Sequence, residues 1–467
     1  MILIHDGYMI DPKSGREGNY DILIDGDKIV KIAEKIEPRG KVTRINAEGL
    51  LVAPGLVDVH VHFRDPGFTA KEDINTGAAA AAKGGVTTVV LMANTKPAVD
   101  SEETLHYILD KGAKTGIHVT TCANVTMGMQ GKQLTDMKKL ATAGAVGFTD
   151  DGVPLLDAEL VRRAMEISAE LDMPISFHEE DPKYIENNGV NRGKASEYYG
   201  IGGSAREAEI ALVERDLKLA EETGACIDIQ HISSKEAVEL VRQAKKRCSN
   251  IHAEATPHHF TLTEDAVIKY GTLAKMNPPL RSAADRQATI AAIADGTVDL
   301  LATDHAPHTL EEKERGFLEA PNGIIGLECA YGVCHKVLVD GGFISDERLI
   351  ELMSVGPAEL MGHVPTDVAA LVEDYAEPAP TGDDPDGVIA GESDAQPQRE
   401  GVNRLLDLSR VDDADNVDLV VLNAAEEWTV DPEQFHSKAR NTPFGGWQVT
   451  GRPLATIIGS QLMFSRL

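Results

Sequence analysis

The strongest constraint on the fold is a series of eight short apolar segments along the middle of the 467-residue chain. Each is rich in Val, Ile, Leu or Ala and almost free of alternation, as expected of strands that are buried on both faces. Helical stretches separate most of them. The eight segments are Val57–Phe63, Val86–Ala93, Ile117–Cys122, Ala145–Thr149, Ile175–His178, Cys226–His231, Ile251–Thr256 and Leu300–Thr303.

Strands that alternate with helices predict a parallel α/β sheet, and eight of them favour a (β/α)8 TIM-type barrel. Helices are expected over Thr76–Lys83, Asp157–Leu171 and Arg206–Glu222, the last with a capping box made by Ser204 and Glu207. A doubly wound open sheet is the alternative. Its glycine-rich nucleotide-binding turn has no counterpart in the sequence, so the barrel is favoured.

Both ends of the chain have the pattern of short strands, punctuated near the N-terminus by Asp-Gly turns. We predict that the two ends pair into one small β-sandwich domain beside the barrel. Between the barrel and the last strands lies a stretch with eight acidic and no basic residues from Glu373 to Asp394, typical of a solvated linker. The predicted parts are residues 1–52 and 417–467 as the two parts of the β-sandwich, 53–365 as the barrel and 366–416 as the acidic linker.

Composition excludes several classes of function. A net charge of −30 and an aromatic content of 4% argue against a nucleic-acid partner. No apolar run reaches the length of a membrane span, and no signal peptide is visible. The five cysteines are scattered and never spaced as CxxC, which suits a reducing compartment. We therefore expect a cytoplasmic protein, and the acidity suggests a salt-rich cytoplasm that screens self-repulsion.

Side chains that can bind metal stand at the ends of the predicted strands. His60 and His62 share one face of the first strand, because side chains two apart in a strand point the same way. Barrel active sites lie at the carboxyl ends of the strands, so these residues are expected to converge. The residues at the other strand ends are Asn94, Asp150, Asp151, His178, His231, Asp304 and His308.

Four histidines and two aspartates at one rim predict a centre of two divalent metal ions. Nitrogen and oxygen ligands without thiolate favour zinc, with cobalt or manganese as alternatives. Such a pair acidifies a shared water into a nucleophile near neutral pH, and an aspartate ligand such as Asp304 can carry its proton to a leaving nitrogen. Arg64, Asn94 and His308 remain to bind an anionic substrate, since a guanidinium matches a carboxylate.

Seven short motifs follow one another along the chain, namely HVHFRDPG at 60–67, MANTKP at 92–97, GFTDDG at 147–152, TPHHF at 256–260, MNPPLR at 276–281, ATDHAPH at 302–308 and NTPFGGW at 441–447. Together they resemble the dihydroorotases, and more narrowly the type I branch of that family in the amidohydrolase superfamily. The resemblance extends to about residue 363 and resumes near 417. It implies reversible cyclisation of N-carbamoyl-L-aspartate to (S)-dihydroorotate in de novo pyrimidine (UMP) biosynthesis.

The resemblance also implies residue roles. His60 and His62 would bind one metal ion and His178 and His231 the other, with Asp304 as a ligand and the general acid/base. The residues implied to bind substrate are His62, Arg64, Asn94, Asn277, His308, Asn322 and Gly323.

The sequence leaves two candidates for the residue that bridges the two ions. Many superfamily members use a carboxylated lysine on the fourth strand, but here that strand ends in Thr149-Asp150-Asp151 with no lysine. In the type I branch an aspartate takes this role, and the motif points to Asp151. Strand alternation lets only one of the two aspartates face inward, so Asp150 stays open as the alternative.

Two other functions are alternatives to the one that the motifs imply. A hydantoinase or allantoinase would share the HxH pair and the later histidines, but it would carry the carboxylated lysine and lack the arginine of FRDPG. A non-catalytic scaffold for aspartate transcarbamoylase would have lost metal ligands, whereas this chain keeps them. The expected partner is a small-molecule substrate; a homo-oligomer or an association with aspartate transcarbamoylase is left open.

Overall fold

The computed structural model describes residues 1–362 and 417–467. The predicted acidic linker, 366–416, and the last residues of the predicted barrel, 363–365, lie outside the described residues. Within them, no helix combines the length and apolar character that a membrane span requires.

The first part of the chain forms strands that pack around β1. Strands β1 to β3 form an antiparallel meander, while β4 and β5 run parallel to β1. Alternate residues such as Ile2, Ile4, Ile22 and Ile24 face one buried cluster, as period-two patterning requires. The strands are β1 Ile2–Asp11, β2 Arg16–Asp25, β3 Lys28–Ala33, β4 Thr43–Asn46 and β5 Leu51–Pro54.

Parallel strands form the ring of the barrel in two runs, β6-β7-β8 and β9-β10-β11-β12. Parallel bridges join the runs: Phe148 pairs with both Ala123 and Ile175, and Val61 pairs with His305. The predicted α/β barrel is therefore confirmed; its fourth strand is short and is centred on the bridging residue Phe148, with backbone hydrogen bonds over residues 146–149. The strands are β6 Leu56–Val61, β7 Val86–Leu91, β8 His118–Thr121, β9 Ile175–Phe177, β10 Ile227–Ile229, β11 Ile251–Ala255 and β12 Leu300–Leu301.

Helices follow most barrel strands, and several begin at the side-chain caps that their sequences encode, such as Asp73, Ser101 and Ser234. The helices are α1 Ile74–Lys83, α2 Glu102–Gly112, α3 Met137–Thr142, α4 Ala158–Leu171, α5 Lys194–Tyr199, α6 Glu207–Thr223, α7 Lys235–Lys245, α8 Pro257–Thr261, α9 Glu264–Tyr270, α10 Ala283–Asp295, α11 Leu310–Lys313, α12 Ala330–Cys334, α13 Asp346–Ile350 and α14 Gly356–Leu360. Turns of π-helix continue α12 and α13 over His335–Val339 and Glu351–Val355.

The capping box predicted for α6 is wrong. The helix begins at Glu207, and Ser204 lies two residues before its N-cap, Arg206. The Ser204 hydroxyl instead donates a hydrogen bond to Oε1 of Glu180 at 3.2 Å. Tertiary contacts of the preceding loop therefore outweigh the local capping preference.

The last part of the chain completes the terminal sheet. Strand β13 pairs antiparallel with β5, placing Leu419 opposite Pro54 and Val421 opposite Val52. The resulting order is β15-β14-β13-β5-β1-β2-β3, with β4 beside β1. The expectation that the two ends pair is confirmed, while β15 was not predicted. The strands are β13 Asp418–Thr429, β14 Gln448–Ile458 and β15 Gln461–Ser465.

Strand β13 joins the terminal sheet to the barrel through both of its faces. Leu419 and Val421 belong to the buried cluster of the sheet. Val420 and Leu422, which point the opposite way, belong to the buried cluster of the barrel. One strand thus contributes to two cores.

Candidate metal centre and substrate cavity

Asp151 lies at the centre of the four predicted histidines. Its Oδ1 is 3.6 Å from Nε2 of His60, 3.5 Å from Nδ1 of His178 and 3.8 Å from Nε2 of His231. Its Oδ2 is 3.5 Å from Nε2 of His62. A single carboxylate therefore faces the His60–His62 pair on one side and the His178–His231 pair on the other.

Asp304 lies on the His60–His62 side of the cluster. Its Oδ1 is 2.9 Å from Nε2 of His62 and 3.5 Å from Nε2 of His60. The ligand atoms form groups within 4.8 Å of one another that could hold a metal ion. These groups are His60–His62–Asp151, His60–His231–Asp304 and Asp151–His178–His231.

The donor set fits metal binding. Nε2 of His60 is buried and finds no hydrogen-bond partner among the described residues, although two carboxylates face it. A buried polar atom in this state is costly unless something else binds it. Imidazole nitrogens and carboxylate oxygens are ligands that zinc and similar ions accept.

In three of the histidines, the ring nitrogen that points away from the cluster contacts a polar side chain. Nδ1 of His60 donates to Oε1 of Glu254 at 2.6 Å, and Nδ1 of His62 is 3.0 Å from Oδ1 of Asn94. Nε2 of His178 lies 3.1 Å from Glu180. Such contacts select one ring orientation and leave the other nitrogen for an ion.

Sequence reasoning missed Glu254 and Glu180. Glu254 is fully buried in the middle of β11, in the segment Ile251–Ala255. An acidic residue inside an apolar strand was the available signal, because such a residue is almost never buried without a partner.

Asp150 faces away from the four histidines. Its Oδ1 accepts hydrogen bonds from the backbone N–H groups of Val125 and Thr126 at 2.9 and 3.2 Å, and its Oδ2 accepts one from the Thr126 hydroxyl. Asn124 donates to it as well, at 3.3 Å. The Asp150 carboxylate therefore anchors the loop after β8, while Asp151 occupies the centre of the cluster.

The cluster opens into a cavity of about 290 Å3. All seven residues that were predicted to bind substrate line it, together with four residues that were not singled out, namely Gly152, Asn188, Met276 and Ala306. The lining residues are His62, Arg64, Asn94, Asp151, Gly152, His178, Asn188, His231, Met276, Asn277, Asp304, Ala306, His308, Asn322 and Gly323.

Positive charge collects on the wall around His308. The Arg64 guanidinium is 3.4 Å from Nε2 of His308, and Nζ of Lys71 is 3.2 Å from its Nδ1. Burial, together with Arg64 and Lys71, lowers the pKa of His308 far below its usual value, so the ring is neutral. Lys71 was not predicted, although it follows the FRDPG turn closely in the sequence.

The opposite side of the cavity carries the carboxylates of Asp151 and Asp304 among the histidines. Burial alone would raise the pKa of Asp151 and Asp304, but nearby His60 and hydrogen bonds from other histidines hold both pKa values below the usual range. Both carboxylates are thus ionised, as metal ligands and bases need to be. The cavity therefore presents cations to one end of a ligand and a carboxylate-histidine cluster to the other.

Three residues of the site have left-handed backbone conformations. The φ angles are +58° for Arg64, +36° for His231 and +44° for Asp304. Non-glycine residues seldom adopt such values, and they persist where the surrounding structure enforces them, often at functional sites.

Comparisons with known proteins agree with this geometry. A family model described as dihydro-orotase-like matches residues 49–237. The dihydroorotase of Clostridioides difficile (strain 630) is 45% identical over 465 residues, covering 100% of both chains. That of Clostridium acetobutylicum is 43% identical and covers 99% of each chain.

Solved structures of similar fold include hydantoinases. L-hydantoinase (dihydropyrimidinase) from Arthrobacter aurescens matches with a TM-score of 0.80 at 23% identity, covering 100% of this chain and 96% of that one. D-hydantoinase (dihydropyrimidinase) from Thermus sp. gives 0.77 at 22% identity, with 100% and 95% covered.

The barrel, the terminal sheet and the histidine–aspartate cluster define a metal-dependent cyclic amidohydrolase. At 45% identity over its whole length, the chain belongs to the dihydroorotase family. The expectations of enzyme class and family drawn from the motifs are confirmed.

Proposed function

We propose that this chain catalyses the reversible cyclisation of N-carbamoyl-L-aspartate to (S)-dihydroorotate in de novo pyrimidine biosynthesis. One observation carries the proposal within the family: the Asp151 carboxylate contacts both histidine pairs at the floor of a cavity whose wall holds Arg64. This arrangement matches a small anionic substrate whose amide bond reacts at the cluster.

The cluster would hold two divalent ions, with zinc favoured by its ligands. His60 and His62 would bind one ion, His178 and His231 the other, with Asp151 between them and Asp304 completing the set. When bound, the ions supply Lewis acidity and lower the pKa of water.

The cationic wall would bind the substrate carboxylate. Arg64 offers a guanidinium fork, and neutral His308 can donate one hydrogen bond beside it. Asn94, Asn277 and the Asn322–Gly323 loop supply polar groups around the rest of the substrate. In this orientation the ring amide points toward Asp304.

Asp304 would move the proton. In the hydrolytic direction water adds to the ring carbonyl, the C–N bond breaks, and Asp304 passes the proton of the water to the leaving nitrogen. Cyclisation reverses these steps and releases water.

We expect Asp304→Asn to lower kcat by at least about 100-fold, since general acid–base catalysis contributes on this order. Steady-state kinetics test this, with thermal unfolding as the control; turnover near the wild-type rate would contradict the role.

The substrate is tested by comparing kcat/KM for N-carbamoyl-L-aspartate, hydantoin and allantoin. The proposal expects turnover of the first alone. Hydantoinases share this fold at about 20% identity, so activity confined to hydantoin would replace the proposed substrate. Metal analysis of the same preparation tests whether two ions bind per chain.

Location, partners and domain limits complete the proposal. Five free cysteines, three of them buried, support a reducing, cytoplasmic location. Homo-oligomerisation or an association with aspartate transcarbamoylase would be found by sizing the protein alone and with that enzyme. We also propose that the chain divides into residues 1–52, 53–365, 366–416 and 417–467.

A further inference from the structure

The segment between β13 and β14 leaves the terminal sheet and contacts loops at the carboxyl ends of the barrel strands. The Glu328 carboxylate accepts hydrogen bonds from the backbone N–H groups of His436 and Ser437 at 2.9 and 3.0 Å. Glu72, in the loop that follows β6, accepts one from the N–H of Lys438 at 3.2 Å. Buried carboxylates thus hold this segment against the barrel.

The same segment contains Asn441, whose side chain is fully buried and makes three hydrogen bonds. Its Oδ1 accepts from the backbone N–H of His308 at 3.0 Å. Its Nδ2 donates to the backbone carbonyls of Ala306 and Gly323, both at 3.0 Å. One amide therefore ties together the two loops that carry His308 and Asn322–Gly323.

The two loops are packed so closely that a small displacement of one would disturb the other. A Cβ on Gly323 would lie 2.7 Å from Cδ2 of His308 and 2.6 Å from the Ala306 carbonyl oxygen. The backbone of Asn441 adds a further tie, since its carbonyl accepts from the N–H of Ile325 at 3.0 Å. Only an amide supplies one acceptor and two donors at this point.

We infer that Asn441 is a positioning residue for substrate binding: it holds His308 and Gly323 in the relative positions that the cavity wall requires. Asn441 does not line the cavity, and its side chain bonds backbone groups and no side chain of the cluster. Of the proposed ligands only Asp304 lies on a loop that Asn441 holds, so we expect a larger effect on substrate affinity than on metal binding. The inference rests on the proposed function for the identity of the substrate. This inference gives Asn441, the first residue of the NTPFGGW motif, a role in shaping the substrate cavity.

The test uses two variants of Asn441. Asn441→Asp keeps the side-chain size and the acceptor for the His308 N–H, but it places a carboxylate oxygen against the carbonyl oxygens of Ala306 and Gly323. Asn441→Ala removes all three side-chain hydrogen bonds. Each should raise KM for N-carbamoyl-L-aspartate about tenfold or more, with a smaller change in kcat and unchanged metal content. Asn423→Asp is the matched control, because Asn423 lies in the same part of the chain and its Oδ1 accepts from the nearby N–H of Ala425, far from the cavity loops in sequence. It should leave KM unchanged.

A second readout does not depend on the substrate. Amide hydrogen exchange in peptides covering residues 304–308 and 322–325 should be faster in both Asn441 variants than in wild type and the control. Unchanged exchange and KM in a folded variant would overturn the inference, and so would activity lost in proportion to bound metal. Wild-type protein that does not turn over N-carbamoyl-L-aspartate would contradict the proposed function, while the exchange data would still decide the role of Asn441.

Discussion

The His60 ring is held through Nδ1, which leaves Nε2 directed at the carboxylates of Asp151 and Asp304. Glu254 accepts from its Nδ1 and, with the same oxygen, from the backbone N–H of His231 at 2.9 Å. One carboxylate therefore orients a member of each histidine pair. A charge placed behind an imidazole also makes the ring a more basic ligand.

Removal of this support should weaken metal binding. We expect Glu254→Ala to lower metal affinity about 10–100-fold, the range typical of such supporting residues. Titration against a competing chelator measures it. Glu264→Ala is the matched control, because Glu264 is also buried and hydrogen-bonded but contacts Asn191 and Ala195 instead of the four histidines. Equal affinity in the two variants would contradict the role of Glu254.

Neighbouring Asp150 and Asp151 should respond differently to the same substitution. Asp151→Asn should lower the metal content, because it weakens the one ligand shared by both histidine pairs. Asp150→Asn should keep the metal but reduce the free energy of unfolding by about 1–3 kcal/mol, since it impairs an acceptor for buried N–H groups of the β8 loop. Metal analysis and urea unfolding separate the two effects; loss of metal from the Asp150 variant alone would reverse the assignment.

At the scale of elements, the first barrel strand is held in place by the helix that follows it. Gly77 of α1 lies against the fully buried ring of Phe63, just beyond the two histidines of the HxH pair. A Cβ at Gly77 would come within 2.4 Å of that ring, so only glycine permits this approach.

Gly77→Ala should therefore destabilise the protein. Alanine gains about 1 kcal/mol in helix propensity, but overpacking a buried ring costs about 1–3 kcal/mol, so we expect a net loss of stability. Urea unfolding monitored by far-UV circular dichroism measures it. Gly316→Ala is the control, because no atom of residues 1–362 or 417–467 lies within 4 Å of a Cβ added there. A Gly77 variant as stable as the control would show that the helix can shift without cost.

Most elements could be predicted because their signals are local. Apolar runs located seven barrel strands and helices such as α1 and α4 to within a few residues. The signals failed where distant contacts decide the structure, because Ser204 bonds Glu180 in place of capping α6. The strand ends indicated the residues that the structure brings together in the histidine–aspartate cluster, but Glu254 and Asn441 make contacts about 200 and 130 residues away along the chain.

At the scale of the whole molecule, charge dominates behaviour in solution. Seventy-five acidic residues outnumber forty-five basic ones. Even if every basic residue were paired, thirty negative charges would remain to repel one another. Such repulsion destabilises the compact state until salt screens it.

Stability should therefore rise with KCl. The screening length falls from about 10 Å at 0.1 M to about 3 Å at 1 M, so the melting temperature should increase over this range. Differential scanning fluorimetry can follow it, with sucrose as a control for general stabilisation by excluded solutes. A maximum melting temperature at the lowest salt would contradict this account.

The pairing of β5 with β13 also bears on the order in which the protein is made. A ribosome delivers residues 60–304, with every proposed metal ligand, before it delivers β13 or Asn441. A growing chain can thus assemble the barrel strands while β5 lacks its partner on one edge and His308 lacks its tie. Substrate binding at full affinity would follow only when β13 and the segment that carries Asn441 fold back onto the barrel.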